Sequence, residues 1–118
     1  MFSDILGKAV DRVHGAEAAI LMGFDGILVD MFNGKEIFDI ESMGMEFSVL
    51  LREVRNAAEL LNAGEASEMT IRTDKLLAVL RVVNTEYFVA MALTPDGNIG
   101  KARYVLRTLA PNILNEIA

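Results

Sequence analysis

Apolar positions along this chain recur with two different periods, and the switches between them lay out an order of elements. Phe2, Ile5, Leu6, Ala9, Val10 and Val13 follow the three-and-four spacing of one helix face, which predicts a short first helix capped at Ser3 or Asp4 and ended by Gly15. Two largely apolar runs, Ala16 to Met22 and Ile27 to Phe32, flank Gly23-Phe24-Asp25-Gly26. Asp-Gly tolerates the positive φ angles of tight turns, so the pair reads as an antiparallel hairpin ended by Asn33-Gly34. Helical spacing returns at Ile40, Met43, Phe47, Leu50, Leu51, Val54, Ala57, Ala58 and Leu61, a long amphipathic helix with Asp39 as N-cap and Gly64 as its stop. Met45, Val49 and Leu60 widen its apolar surface beyond what one core contact requires, which implies burial on two sides.

Glu68-Met69-Thr70-Ile71-Arg72-Thr73 then alternates polar with apolar, as a half-exposed strand does, and has no proline to protect it as an edge. Leu76 to Val83 and Tyr87 to Leu93 are apolar almost throughout and belong centrally in a sheet. Thr94-Pro95-Asp96-Gly97-Asn98 is a turn, and a last helix from about Ile99 has Asn98 as N-cap, with Pro111 expected to bend it or to open a separate turn. The expected fold class is α+β, a five-stranded antiparallel sheet with helices on both faces in the order α-β-β-α-β-β-β-α, in one domain over residues 1–118.

Composition narrows the function classes. A chain of 118 residues that is 53% hydrophobic buries enough surface to fold, and a net charge of -6 argues against nucleic acid. Acids gather between Glu17 and Glu46, where Asp25, Asp30, Glu36, Asp39 and Glu41 meet only Lys35; these read as solvated carboxylates that would attract a basic surface. With no cysteine there is no disulfide, thiolate nucleophile or Cys-ligated zinc. Asp4 stands where a signal peptide needs basic residues, and no apolar run is long enough to cross a bilayer, so a cytoplasmic protein without membrane insertion is expected.

Candidate chemistry is thin. His14 is the single histidine and reads as a helix-end residue rather than a base or ligand. Gly97-Asn98-Ile99-Gly100-Lys101-Ala102 has two residues, not four, before Gly-Lys, and Ala102 stands where a phosphate loop has Ser or Thr. Gly100 reads instead as the residue that lets the last helix pack closely on the sheet. The expectation is no catalysis, no metal and no cofactor. Among the methionines, Met45 and Met69 are placed outside the core.

Leu93-Thr94-Pro95-Asp96-Gly97-Asn98-Ile99-Gly100-Lys101-Ala102-Arg103 resembles the signature of the roadblock (dynein light chain) family, whose members follow a central strand with a similar polar turn and a Gly-Lys/Leu-Ala-Arg helix start. Gly15 to Asp30 is similar to the family's opening hairpin, and Tyr87-Phe88-Val89-Ala90-Met91 to its last strand. The loop Met31 to Phe38 has no counterpart in that pattern, and Gly44 is a poor helix former within the long helix.

The resemblance implies an α/β domain that dimerises by pairing third strands into one continuous sheet, with the long helices adjacent, and that has no nucleotide site of its own. The short chain looks most like single-domain prokaryotic members that act on a small Ras-like GTPase. Two readings follow: a homodimeric GTPase regulator, activating or docking through the paired long helices, and a structural adaptor with no effect on nucleotide turnover. The residues expected to carry them are Glu68, Met69, Thr70, Ile71, Arg72 and Thr73 at the dimer interface, and Met45, Ser48, Val49, Arg52, Arg55 and Asn56 on the outer face of the long helix for the partner.

Overall fold

In the computed structural model, which describes residues 1–117, the elements come in the expected order. They are α1 (Ser3–Asp11), β1 (Ala16–Gly23), β2 (Leu28–Asn33), α2 (Ile40–Leu60), β3 (Glu68–Arg72), β4 (Leu77–Val82), β5 (Tyr87–Leu93) and α3 (Ile99–Ile117). The strands form one five-stranded sheet in the order β2-β1-β5-β4-β3, every neighbouring pair antiparallel. This is the anticipated α+β architecture, with β5 at the centre.

Alternation along the inner strands sorts their side chains into two cores. Ala19, Leu21, Leu77, Val79, Val89 and Met91 pack with α1 and α3 on one face. Ala18, Ile20, Met22, Ala78, Leu80 and Ala90 pack with Ile40, Phe47 and Leu51 of α2 on the other. Because both faces are covered, β1 and β5 are buried at nearly every position, and alternation of polarity is absent from their sequences. Among the described residues no helix is long and apolar enough to cross a membrane.

Several local expectations are corrected. Neither Ser3 nor Asp4 caps α1: Phe2 occupies the N-cap position without a side-chain bond, and Asp30 of β2 reaches across to accept from the N–H groups of Phe2 and Ser3, both at 3.0 Å. The long helix starts as read, with Asp39 accepting from Ser42 N. Its stop is Asn62 rather than Gly64. Asn62 takes a positive φ of 52° and donates to Glu59 O while Ala63 N donates to Ala58 O, the paired bonds of a Schellman ending. Pro111 neither ends α3 nor opens a separate turn, since the helix runs through it to Ile117.

Glycines permit close approach beneath α2, at Gly44, and where Gly15 meets Gly97. A Cβ on Gly44 would lie 2.8 Å from Ile20 Cδ1, so this residue lets α2 settle on β1. Gly97 is pressed between Leu93 and Gly15, where a Cβ on Gly15 would come within 2.4 Å of Gly97 Cα. Gly100 would gain a side chain in ordinary contact only, so it does not have the packing role expected of it; the close contacts are made at Gly97, in the turn before the helix.

The two sheet edges differ. On β2, Leu21 faces Asp30 and Met22 faces Leu28, so Val29 is an extra residue and the edge is bulged. On β3 the pairing with β4 is continuous from Glu68 to Arg72.

Candidate interaction surfaces on the long helix and the third strand

α2 packs over β1 and β2, and on its side of the sheet an open groove lies beside the Val82 end of β4. The groove encloses about 1110 Å³ between the second half of α2, residues 61–67 and the β4–β5 turn, and Arg52, Asn56, Glu59, Val82 and Asn84 are among the residues that line it. Met69 and Ile71, projecting from β3 on this side, are only partly buried.

Along α2 the spacing of four, three, four and four places Met45, Val49, Arg52, Asn56 and Leu60 on one exposed strip. Met45 is 52% exposed, Val49 44% and Leu60 85%, a run of large apolar side chains in water with an arginine and an asparagine between them. Two of the six residues expected on this outer face lie elsewhere. Ser48 is 2% exposed and its hydroxyl donates to Met45 O, so it belongs to the core side of the helix. Arg55 is drawn inward: its guanidinium stacks at 4.0 Å over the Phe24 ring and donates to Thr85 O at 3.3 Å. Phe24 in turn packs on Phe88 at 5.6 Å between ring centroids. Arg55 therefore fastens α2 to the β4–β5 turn, and Arg52 is the arginine presented to solvent.

On β3, Glu68, Thr70 and Arg72 project to the α3 side. Glu68 accepts from Arg103 Nη2 at 2.7 Å and Nε at 3.0 Å, and lies 3.8 Å from Arg81. This hydrogen bond and the carboxylate's charge raise the pKa of Arg103. Thr70 and Arg72 are exposed, and Arg72 takes part in no ion pair among the described residues. Thr73, the last residue expected in the strand, lies just beyond it and donates its N–H to Leu76 O at 2.8 Å.

Sequence reasoning missed two structural acids. Glu17, expected to be solvated, has a side chain only 8% exposed that meets Lys35 at 3.6 Å. Asp30, for which the same expectation holds, serves the start of α1 instead. Partial burial raises its pKa, but the N–H groups of Met31, Ser3 and Phe2 and the terminal amine outweigh this, leaving the carboxyl below its ordinary value. His14 lies in the turn after α1, 3.5 Å from Asp96, both side chains largely exposed. Asp96 is held low in pKa first by the Thr94 hydroxyl, which donates to it at 2.6 Å. Among the described residues no three His, Asp or Glu side chains gather into a metal site.

No protein-family model and no curated protein matches the chain. Solved structures do. MglC from Myxococcus xanthus is 44% identical over 98% of both chains, with a TM-score of 0.71. A Roadblock/LC7 domain from Streptomyces avermitilis is 16% identical, with a TM-score of 0.87 over 98% of this chain and 96% of that one. MglB from Myxococcus xanthus is 13% identical, with a TM-score of 0.83 over the same shares. The last two are likenesses of fold alone; the first joins identity to coverage of nearly the whole chain, and with the strand order and the turn at Thr94 to Asn98 it makes this chain a member of the roadblock family.

Proposed function

We propose that the chain is a homodimeric regulator of a small Ras-like GTPase, that two copies join along β3, and that the partner docks on the α2 strips of the pair. The observation that carries this reading is the strip itself. Met45, Val49 and Leu60 expose apolar surface that no contact within the chain uses, and Arg52 and Asn56 supply donors among them. Family membership supports the choice of partner class, and the unbulged pairing of β3 supports the choice of joining edge. Regulation would act on the GTPase's own catalytic residues, because the strip offers one free arginine and no acid–base pair.

The test is direct. Binding of a Ras-like GTPase encoded alongside this chain is measured by calorimetry in its GDP and GTP-analogue states, followed by single-turnover GTP hydrolysis with and without this protein. Met45→Ala and Arg52→Ala should each weaken association by more than about 1 kcal/mol if they are anchors. Undiminished binding in the double variant would move the site off α2. Tight binding with an unchanged hydrolysis rate would instead establish the second reading, a structural adaptor. That reading draws on Arg55 being committed to Phe24 and Thr85, which leaves fewer arginines to supply in trans.

A further inference from the structure

Charge along α3 is arranged against the helix's own stability. No acid occurs between Asp96 and Glu116, while Lys101, Arg103 and Arg107 fall in the helix's first half, in a chain whose net charge is -6. A helix dipole favours acids in the first turn and cations in the last, and α3 has neither. Asn98 caps the helix by accepting from Lys101 N at 3.0 Å, which puts Lys101 at the third helical position, where a capping box carries Glu or Gln. A residue that breaks the local rule with no gain inside the fold calls for a use outside it.

The three cations are not equivalent. Arg103 is committed to Glu68. Lys101 and Arg107 enter no ion pair among the described residues, and both lean on one ring: Lys101 Nζ lies 5.9 Å and the Arg107 guanidinium 5.7 Å from the centre of Tyr104. The spacing of three sets these side chains in a row on the exposed face, and Pro111 and Leu114 continue it along the next two turns. The row is about 20 Å long, cationic around an aromatic ring at one end and apolar at the other. Two like charges brought to the same ring repel each other, and an acid placed between them would relieve the repulsion.

We propose that this face of α3 docks an acidic peptide segment of another protein, whose carboxylates meet Lys101 and Arg107 across Tyr104 and whose apolar side chain rests on Pro111 and Leu114. Charge complementarity selects this occupant. The rest of the chain is more acidic still than its net -6, so an acidic segment is repelled elsewhere and directed here. A bilayer is the poorer fit, because it calls for many cations beside a wide apolar face, and this ridge offers two unpaired cations and few large apolar side chains. Since α3 and α2 cover opposite faces of the sheet, the site stands independently of the GTPase reading, and both surfaces can be filled at once.

The probe is a short fluorescein-labelled peptide of repeated Glu-Glu-Leu, with the Gln-Gln-Leu peptide as control, titrated at low ionic strength and followed by anisotropy. The acidic peptide should bind and the neutral one should not, and binding should fade as salt is added. Lys101→Glu combined with Arg107→Glu should weaken it about tenfold or more. Tyr104→Ala should weaken it as well, and Lys101→Arg with Arg107→Lys should retain it. Lys101→Glu alone should raise the midpoint of thermal unfolding by about 2 °C or more, because it completes the capping box. A fall in that midpoint would show that Lys101 serves the fold and would overturn the proposal. Amide shifts on adding the peptide should centre on Lys101 to Leu114. Shifts centred on α2, or binding undiminished by the double reversal, would overturn the site. Binding to phosphatidylserine vesicles but not to the peptide, lost in the same double variant, would overturn the peptide and give the face to a membrane.

Discussion

Asp30 shows how one side chain can hold two elements together. Its carboxylate accepts from the first N–H groups of α1 while its own backbone runs in β2, so it takes the part of an N-cap supplied from a distance. Asp30→Ala should cost about 1 kcal/mol at neutral pH by urea denaturation. The folded-state pKa lies below the unfolded value of about 3.9, so the stabilisation is complete above that value and is lost as pH falls through the folded one. The difference between wild type and variant should therefore shrink in acid. None of this was legible from the sequence, because Asp30 and Ser3 meet only when β2 folds beside α1, whereas Asp39 was legible because it caps a helix that begins one residue later. Gly44 is a case of the opposite sort. The sequence flags it as out of place, and the structure supplies the reason in Ile20 and Met22 beneath it. Gly44→Ala gains about 1 kcal/mol of helix propensity but overpacks a closed core by about 1–3 kcal/mol. Thermal unfolding should show no stabilisation and a net loss of up to about 2 kcal/mol.

At the scale of the element, α2 was the most legible part of the chain, and its residue-by-residue outward face was the least. Periodicity, which survives whatever the helix packs on, gave its start at Ile40 and placed its stop two residues late, at Gly64 instead of Asn62. Ser48 and Arg55 depart from the expected outer face because polarity alone does not imply exposure. Ser48 satisfies its hydroxyl on the helix's own carbonyl, and Arg55 finds an aromatic ring and a loop carbonyl that are distant in sequence. The two arginines should separate cleanly in experiment. Arg55→Ala loses a cation–π contact and a hydrogen bond and should lower stability by about 1–2 kcal/mol. Arg52→Ala, at an exposed site, should stay within about 0.5 kcal/mol of wild type in the same denaturation measurement. A partner that binds the strip should register the second change and be affected by the first only through stability.

For the molecule as a whole, the layer order and the edge position of β3 followed from strand patterns. The direction of each main-chain group on that edge did not, since alternation gives the side-chain faces and leaves the hydrogen-bond phase open. The difference has a practical consequence. Ile71→Pro removes a donor to β4 and should destabilise the fold itself, by about 3 kcal/mol. Thr70→Pro removes a donor aimed at the open edge and should give a folded monomer by circular dichroism and sedimentation if two copies join there. The extra residue at Val29 has a wider meaning beside this. A sheet with two clean ends has two sockets, and a β2-to-β3 contact between successive molecules would repeat without closing, building a fibre. Distorting one end leaves the molecule with a valence of one. If two copies join along β3, growth would then end at the pair, because the bulged β2 edge offers no second flat strand to continue it.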